Sequence, residues 1–139
     1  MIYIADQTQI TRDWKFVKQR IETCLNASGE GVTIFDVYHL LRVNAAFLLV
    51  SRDTEGCVDA CATLTIVSPP MHPEIRSLHI WHANSDSGVA SAAALKVIKD
   101  FAKSSSCSVV TLKGVQPAFE RWGRNLGFRR VCTEFKLEI

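Results

Sequence analysis

The stretch Ser85-Asp86-Ser87-Gly88-Val89-Ala90 decides the fold, because it lies between a strand-like run and a helix-like run. The residues before it alternate in part between apolar and polar, and the residues after it carry Leu95, Ile98, Phe101 and Ala102 on one helical stripe. A loop of small residues that opens a helix presents several unpaired backbone N–H groups beside the positive end of the helix dipole. The pattern therefore favours a phosphate-binding loop, and a plain strand-to-helix turn is the alternative.

The elements before this loop are predicted from apolar spacing and turn residues. A short strand at residues 2–5 precedes a helix marked by apolar residues at helical spacing, and a second helix follows a capping box formed by Thr33 and Asp36. Residues 46–50 and the run after the turn at 53–56 predict an antiparallel hairpin. Its second strand should present one face, formed by Val58, Ala60, Ala62, Leu64 and Ile66.

The remaining elements complete the order β-α-α-β-β-β-α-β-α-β, which is an α+β fold with a mixed sheet. A strand is expected from about Glu74 to the loop, and a helix from Gly88 to about Lys103. A buried strand at 108–112 comes next, then a helix that begins at Pro117 and stops at Gly127, then a strand over residues 131–139.

Composition limits the classes of function. With 139 residues and 47% hydrophobic content, the chain predicts one domain over 1–139. A net charge of +2 without a basic stripe argues against a nucleic-acid partner. No apolar run approaches the roughly 20 residues that span a membrane. Five cysteines without a CxxC pair indicate free thiols and hence the cytoplasm.

Two motifs resemble the GNAT superfamily of acyl-CoA-dependent N-acetyltransferases. The family's pyrophosphate loop, Gln/Arg-x-x-Gly-x-Gly/Ala, is matched by Ser85-x-x-Gly88-x-Ala90, which keeps the small residues but lacks the long first side chain. The family's helix ending in Leu-Gly-Phe is matched by Leu126-Gly127-Phe128. The resemblance covers about residues 45–135 and implies a central sheet that splays at the loop. In length the chain is similar to GNAT-like proteins of tailed bacteriophages.

The resemblance implies acetyl-CoA as cosubstrate. The pantetheine arm would pair with backbone of residues 78–82, between the splayed fourth and fifth strands. Asp86 beside a diphosphate would cost energy unless its carboxylate points to solvent. The residues expected to bind the cofactor are Ile80, His82, Ser85, Ser87, Gly88, Val89, Ala90 and Asn125.

Catalysis by such a protein requires a base for the attacking amine and an acid for the leaving thiolate. The family's tyrosine acid would fall at Gly123, so water or another group would have to serve. His79 and His82 are the candidate bases, although each is also consistent with a structural imidazole. Their opposite parity on a regular strand predicts that only one lines the acceptor cleft. The same parity argues against a zinc site with Cys57 and Cys61.

Two functions remain open at this point. The first is an acetyltransferase that acts on an amine of a small molecule or a protein. The second is a GNAT-fold protein without turnover, which serves as a virion or assembly component, or binds a host protein, in the host cytoplasm or the virion. Ser85 and Gly123 favour the second function, and the loop motif favours the first. A final strand at a sheet edge would also offer a surface for a homo-oligomer.

Overall fold

The computed structural model describes residues 1–87, 91–113, 124–131 and 137–139. Within these ranges the elements confirm the first eight of the predicted order, and the predicted last helix and last strand lie largely outside the described residues. The elements are β1 (Ile2–Ile4), α1 (Gln7–Ser28), α2 (Ile34–Arg42), β2 (Phe47–Arg52), β3 (Val58–Val67), β4 (Ser77–Ser85), α3 (Ala92–Ser104) and β5 (Val109–Leu112).

The five strands form one sheet in the order β1-β2-β3-β4-β5. β1 through β4 pair antiparallel, whereas β4 and β5 pair in parallel across the connection that contains α3. The predicted α+β class with a mixed sheet is confirmed. β4 is therefore the strand at which the sheet changes from antiparallel to parallel pairing.

Both N-terminal helices begin at a residue whose side chain satisfies a terminal backbone group, and the first ends at a glycine. Asp6 caps α1 in a capping box with Gln9, and Gly29 ends this helix with a φ of 64° that favours glycine. Thr33 and Asp36 form the predicted capping box at the start of α2. Local chemistry therefore fixes both bounds of α1 and the start of α2.

Two apolar cores lie on opposite faces of the sheet. One core packs α1 and α2 against alternate sheet residues such as Leu48, Val50 and Cys61. The other packs α3 against the intervening residues, among them Leu49 and Leu64. The predicted stripe of α3 is confirmed in this second core. Since successive side chains of a strand point to opposite faces, the division follows from strand geometry.

Two register shifts interrupt this alternation. Ser51 pairs with Ala60 but Arg52 pairs with Val58, so Asp59 is an extra residue in β3. The prediction of one continuous face was therefore wrong for Val58, which packs on the α1 and α2 side.

The second shift lies in β4. Thr63 pairs with His82 and the next residue of β3, Leu64, pairs with Ile80. Trp81 is thus the extra residue of a β-bulge. The bulge changes which side chains of β4 share a face.

Two element boundaries differ from prediction. β4 begins at Ser77 rather than at about Glu74. α3 begins at Ala92 rather than Gly88, because the side chain of Ser91 accepts from the backbone N–H of Ala94 and caps the helix there.

The described part of the C-terminal segment includes the predicted helix stop. Gly127 has a φ of 89°, and its N–H donates to the carbonyl of Arg124 at 3.0 Å. The prediction of a stop at Gly127 is confirmed. Across the ranges described, no helix combines the length and apolar character needed to cross a bilayer.

Candidate active site

Beyond the midpoint of β4, one of its edges has no neighbouring strand among the described residues. β5 pairs with residues 77–80, and the last pair joins Ile80 to Leu112. Residues 82–85 pair with β3 on the other side, and along residues 81–84 no strand of the described chain continues on the β5 side. The open stretch therefore begins at Trp81, later than the expected span of 78–82. The backbone of an extended ligand can pair with such an edge.

The bulge places His79 and His82 on the same face of the sheet. His82 pairs with Thr63 and His79 pairs with Thr65, and these two threonines are two residues apart on β3. Directly paired residues point to the same face. The prediction that the histidines face opposite sides was wrong, because it assumed a regular strand and the extra residue at Trp81 reverses the parity.

His82 is enclosed in the protein. It is 5% exposed, and its Nδ1 lies 2.8 Å from Oγ1 of Thr63. The backbone N–H of His82 donates to the same Oγ1 at 3.1 Å, so Thr63 holds the residue next to the bulge. Within the described chain, Nε2 of His82 is buried without a hydrogen-bond partner. Burial lowers the pKa of His82, and this favours an uncharged ring.

His79 is half-buried and borders a cavity. Its Nδ1 lies 2.9 Å from Oγ1 of Thr111 on β5. Burial lowers the pKa of His79, nearby Lys113 lowers it further, and Glu30 acts in the opposite direction. The cavity has a volume of about 510 Å³, and the described residues that line it are Val67, Ser68, Pro69, Pro70, Ser77, His79 and Thr111. An uncharged imidazole beside a cavity of ligand size can accept a proton from a bound molecule.

Glu30 is a site residue that the sequence reasoning missed. It lies in the loop between α1 and α2, and its Oε2 accepts from Nε1 of Trp81 at 3.1 Å. The Trp81 ring contacts the His82 ring with centroids 4.3 Å apart. Glycines with positive φ flank Glu30 on both sides, Gly29 at 64° and Gly31 at 76°. This Gly-Glu-Gly sequence was a local signal that the chain presents a carboxylate at a tight turn.

The start of the loop predicted to bind phosphate is linked to α1 by an ion pair. Arg20 forms an ion pair with Asp86 at 2.7 Å and donates to Oδ1 of Asn84 at 3.0 Å. The carboxylate of Asp86 is mostly exposed and has a cationic partner, which reduces the repulsion expected next to a diphosphate. Oγ of Ser85 lies 2.9 Å from Oγ of Ser87.

The other predicted site residues lie partly outside the described ranges. Gly88, Val89 and Ala90 lie outside them, as does Gly123. Asn125 is exposed just before the turn at Gly127. Among the described side chains, no group of three histidine, cysteine or acidic residues could hold a metal ion. The four cysteines in the described ranges are free thiols.

Comparison with solved structures gives matches over the whole chain, whereas no protein-family model and no curated protein sequence matches. A ribosomal-protein-alanine N-acetyltransferase from Brucella melitensis biovar Abortus 2308 superposes with a TM-score of 0.71 at 16% identity, covering 100% of this chain and 99% of that chain. The chain has the GNAT fold.

Two further matches agree with this fold assignment. An aminoglycoside acetyltransferase from an uncultured soil metagenomic sample, in complex with sisomicin, has a TM-score of 0.73 at 10% identity over 100% of this chain and 95% of that chain. Glucosamine-6-phosphate N-acetyltransferase from Arabidopsis thaliana has a TM-score of 0.68 at 14% identity over 99% and 97%. At these identities the matches show the shared GNAT fold.

Proposed function

We propose that the protein transfers an acetyl group from acetyl-CoA to an amine of a small molecule or a protein. The observation that carries the proposal is the bulged strand β4, which has no neighbouring strand of the described chain on its β5 side from Trp81 onwards, and whose His79 borders a cavity. The names of three proteins with the same fold, all acetyltransferases of amine-bearing substrates, support the reaction class.

The cofactor would be held mainly by backbone. Along residues 81–84 no strand of the described chain pairs with β4 on the β5 side, and this edge suits the extended pantetheine arm. Ser85 and Ser87 would contribute hydroxyl groups near the pyrophosphate, and the loop motif adds Gly88, Val89 and Ala90. The ion pair of Arg20 with Asp86 would hold the loop carboxylate away from the phosphates.

His79 is the proposed general base. Its ring borders the cavity, whereas Nε2 of His82 is enclosed and would not reach an acceptor in this arrangement. The nitrogen–carbon bond to the acetyl group forms while the carbon–sulfur bond breaks, His79 takes the proton from the amine, and water protonates the thiolate. Thr63 and His82 position the bulge, and Thr111 orients the His79 ring. The free thiols of the described cysteines fit a cytoplasmic setting for this reaction.

The decisive test is calorimetric titration with acetyl-CoA. We expect saturable micromolar binding by the intact chain and its loss in Gly88→Trp, at the glycine that the loop motif singles out. Ser104→Trp is the matched control, because it places the same bulky side chain at an exposed position at the far end of α3. Absence of heat at millimolar acetyl-CoA would overturn the proposal. It would favour a GNAT-fold component of a virion or assembly, or a host-protein binder.

A further inference from the structure

The cavity beside His79 is formed by sheet residues that α1 and α2 leave uncovered. Val67 pairs with Ser77, and His79 pairs with Thr111, so these side chains share the face that carries His82. The loop after β3 closes one side with Pro69 and Pro70. The resulting volume of about 510 Å³ lies in the range of small-molecule sites.

The described lining is apolar on one side and weakly polar on the other. Val67, Pro69 and Pro70 provide the apolar surface, and Ser77 and Thr111 provide hydroxyl groups next to His79. No carboxylate is among the described residues of this lining. The depression is open to solvent, so a polycationic molecule would meet no counter-charge among these residues, whereas an apolar body would gain from covering the exposed apolar surface.

The ionisable groups around His79 favour a neutral amine as well. Lys113 disfavours a second positive charge near His79, and Glu30, whose carboxylate also accepts from Trp81, is the group that acts in the opposite direction. An amine that leaves water for this cavity becomes easier to deprotonate, because burial disfavours the ammonium form. The proton then passes to the ring of His79.

We infer that this cavity binds the acceptor, and that the acceptor is a primary monoamine with an apolar body. The inference rests on the proposed acetyl transfer for its chemistry. The amine end would face His79, and the body would lie against Val67 and the two prolines.

The binding test uses 2-phenylethylamine as the probe and needs no cofactor. Titration of the labelled protein, followed by NMR, should shift the signals of His79 and Thr111 saturably, and spermidine should leave them unchanged. Val67→Asp places a carboxylate in the apolar wall and should weaken binding of 2-phenylethylamine about tenfold. Val109→Asp is the matched control. Val67 pairs with Ser77 and Ser77 pairs with Val109, so the two valines lie on one line across the sheet. Val109 is as exposed as Val67, and it lies outside the described lining of the cavity. The Val109→Asp variant should bind like the unmodified protein.

Transfer to the two amines, followed by thiol release from acetyl-CoA, separates the two proposals. We expect kcat/KM for 2-phenylethylamine to exceed that for spermidine by about tenfold or more, and Val67→Asp to reduce this ratio. Turnover of spermidine with no response to 2-phenylethylamine would overturn the acceptor inference and leave the acetyltransferase intact. Failure to bind acetyl-CoA would overturn the proposed reaction, and the NMR titration would still decide what the cavity binds. Equal effects of the two valine variants would also contradict the assignment.

Discussion

Two buried polar side chains, Asp13 on α1 and His82 on β4, differ in how completely their hydrogen bonds are satisfied. Asp13 is 0% exposed and accepts from the hydroxyl of Tyr3 at 2.7 Å, from Arg12 at 2.8 Å and from Arg52. Burial acts to raise the pKa of Asp13, but these hydrogen bonds outweigh it and lower the pKa to about 2. His82 is almost as deeply buried, yet one of its ring nitrogens has no partner within the described chain.

The difference separates a region whose buried carboxylate is fully hydrogen-bonded from a region in which a buried ring nitrogen has no hydrogen-bond partner within the described chain. The Asp13 corner joins β1, α1 and β2 through charges that neutralise one another. Within the described chain, the β4 bulge instead combines a ring nitrogen without a hydrogen-bond partner, a strand edge without a neighbouring strand and a cavity beside His79. Unsatisfied buried groups cost stability, and they are found more often near functional or strained sites than elsewhere. The contrast predicts separate effects of mutation on stability and on activity.

The largest expected effect is on stability, from Asp13→Asn. Asparagine removes the negative charge that the hydroxyl of Tyr3 and the two arginines share, and we expect the free energy of unfolding to fall by about 3 kcal/mol. Since the folded pKa is lowered to about 2, the contribution is complete above the unfolded pKa of about 4 and is lost as the pH falls towards 2. Urea unfolding at neutral and acidic pH measures both effects.

Asp6→Asn provides the control for this experiment. Asp6 is the N-cap of the same helix, and asparagine caps a helix about as well, so the loss should stay within about 0.5 kcal/mol. If the two variants lost equal stability, the Asp13 corner would have no special structural role. The contrast between an Asp13 corner that stabilises the fold and the β4 bulge would then not hold.

The next largest expected effect is a loss of catalytic efficiency in His79→Gln. Loss of the proposed base should lower kcat/KM for acetyl transfer about a hundredfold, with acetyl-CoA affinity unchanged. The base must be uncharged to accept a proton, and burial and Lys113 hold its pKa below the ordinary value of about 6.5. Activity of the unmodified protein should therefore persist below pH 6.5 and fall only at lower pH, and the variant should lack this acid limb.

His72→Gln is the matched substitution at an exposed histidine. His72 lies in the loop between β3 and β4 and contacts Glu74 at 3.2 Å. It should leave rate and pH profile unchanged. An acid limb that survives in His79→Gln would assign the titration to another group and remove His79 from the mechanism.

Local patterns were enough to predict most of the fold. The capping box at Thr33, the stripe of α3 and the turn between β2 and β3 depend on residues close in sequence, so one-dimensional spacing describes them. The start of α3 was predicted too early, because Ser91 competes as an N-cap with the small residues before it.

The candidate site was less predictable, because it depends on pairing between distant residues. The extra residue at Trp81 is defined only by the register of β4 on β3, and it reverses the parity argument for both histidines. Glu30 reaches Trp81 across 51 positions of sequence. Arg20 likewise reaches the loop at Asp86 from α1. The residue types alone identify the two histidines as candidates. That both lie on the same face of the sheet follows only from the register of β4 on β3.

The smallest expected effect is that of Thr63→Val, which tests whether the β4 bulge contributes to acetyl-CoA binding. This nearly isosteric change removes the hydroxyl that contacts both the backbone N–H and Nδ1 of His82, and the loss should be about 1 to 2 kcal/mol in unfolding free energy. Acetyl-CoA affinity should also fall, since the open edge begins at the bulge. Urea unfolding and calorimetry give the two values.

Thr65→Val is the control on the same strand and the same face. Thr65 pairs with His79, and within the described chain its side chain makes no hydrogen bond. It should therefore lose less stability than Thr63→Val and bind acetyl-CoA normally. If Thr63→Val lost stability but kept full affinity, the hydroxyl would stabilise the strand without shaping the binding edge. The bulge, like the Asp13 corner, would then be a structural feature only. The edge of β4 that is available to acetyl-CoA would be determined by the residue at which β5 ends.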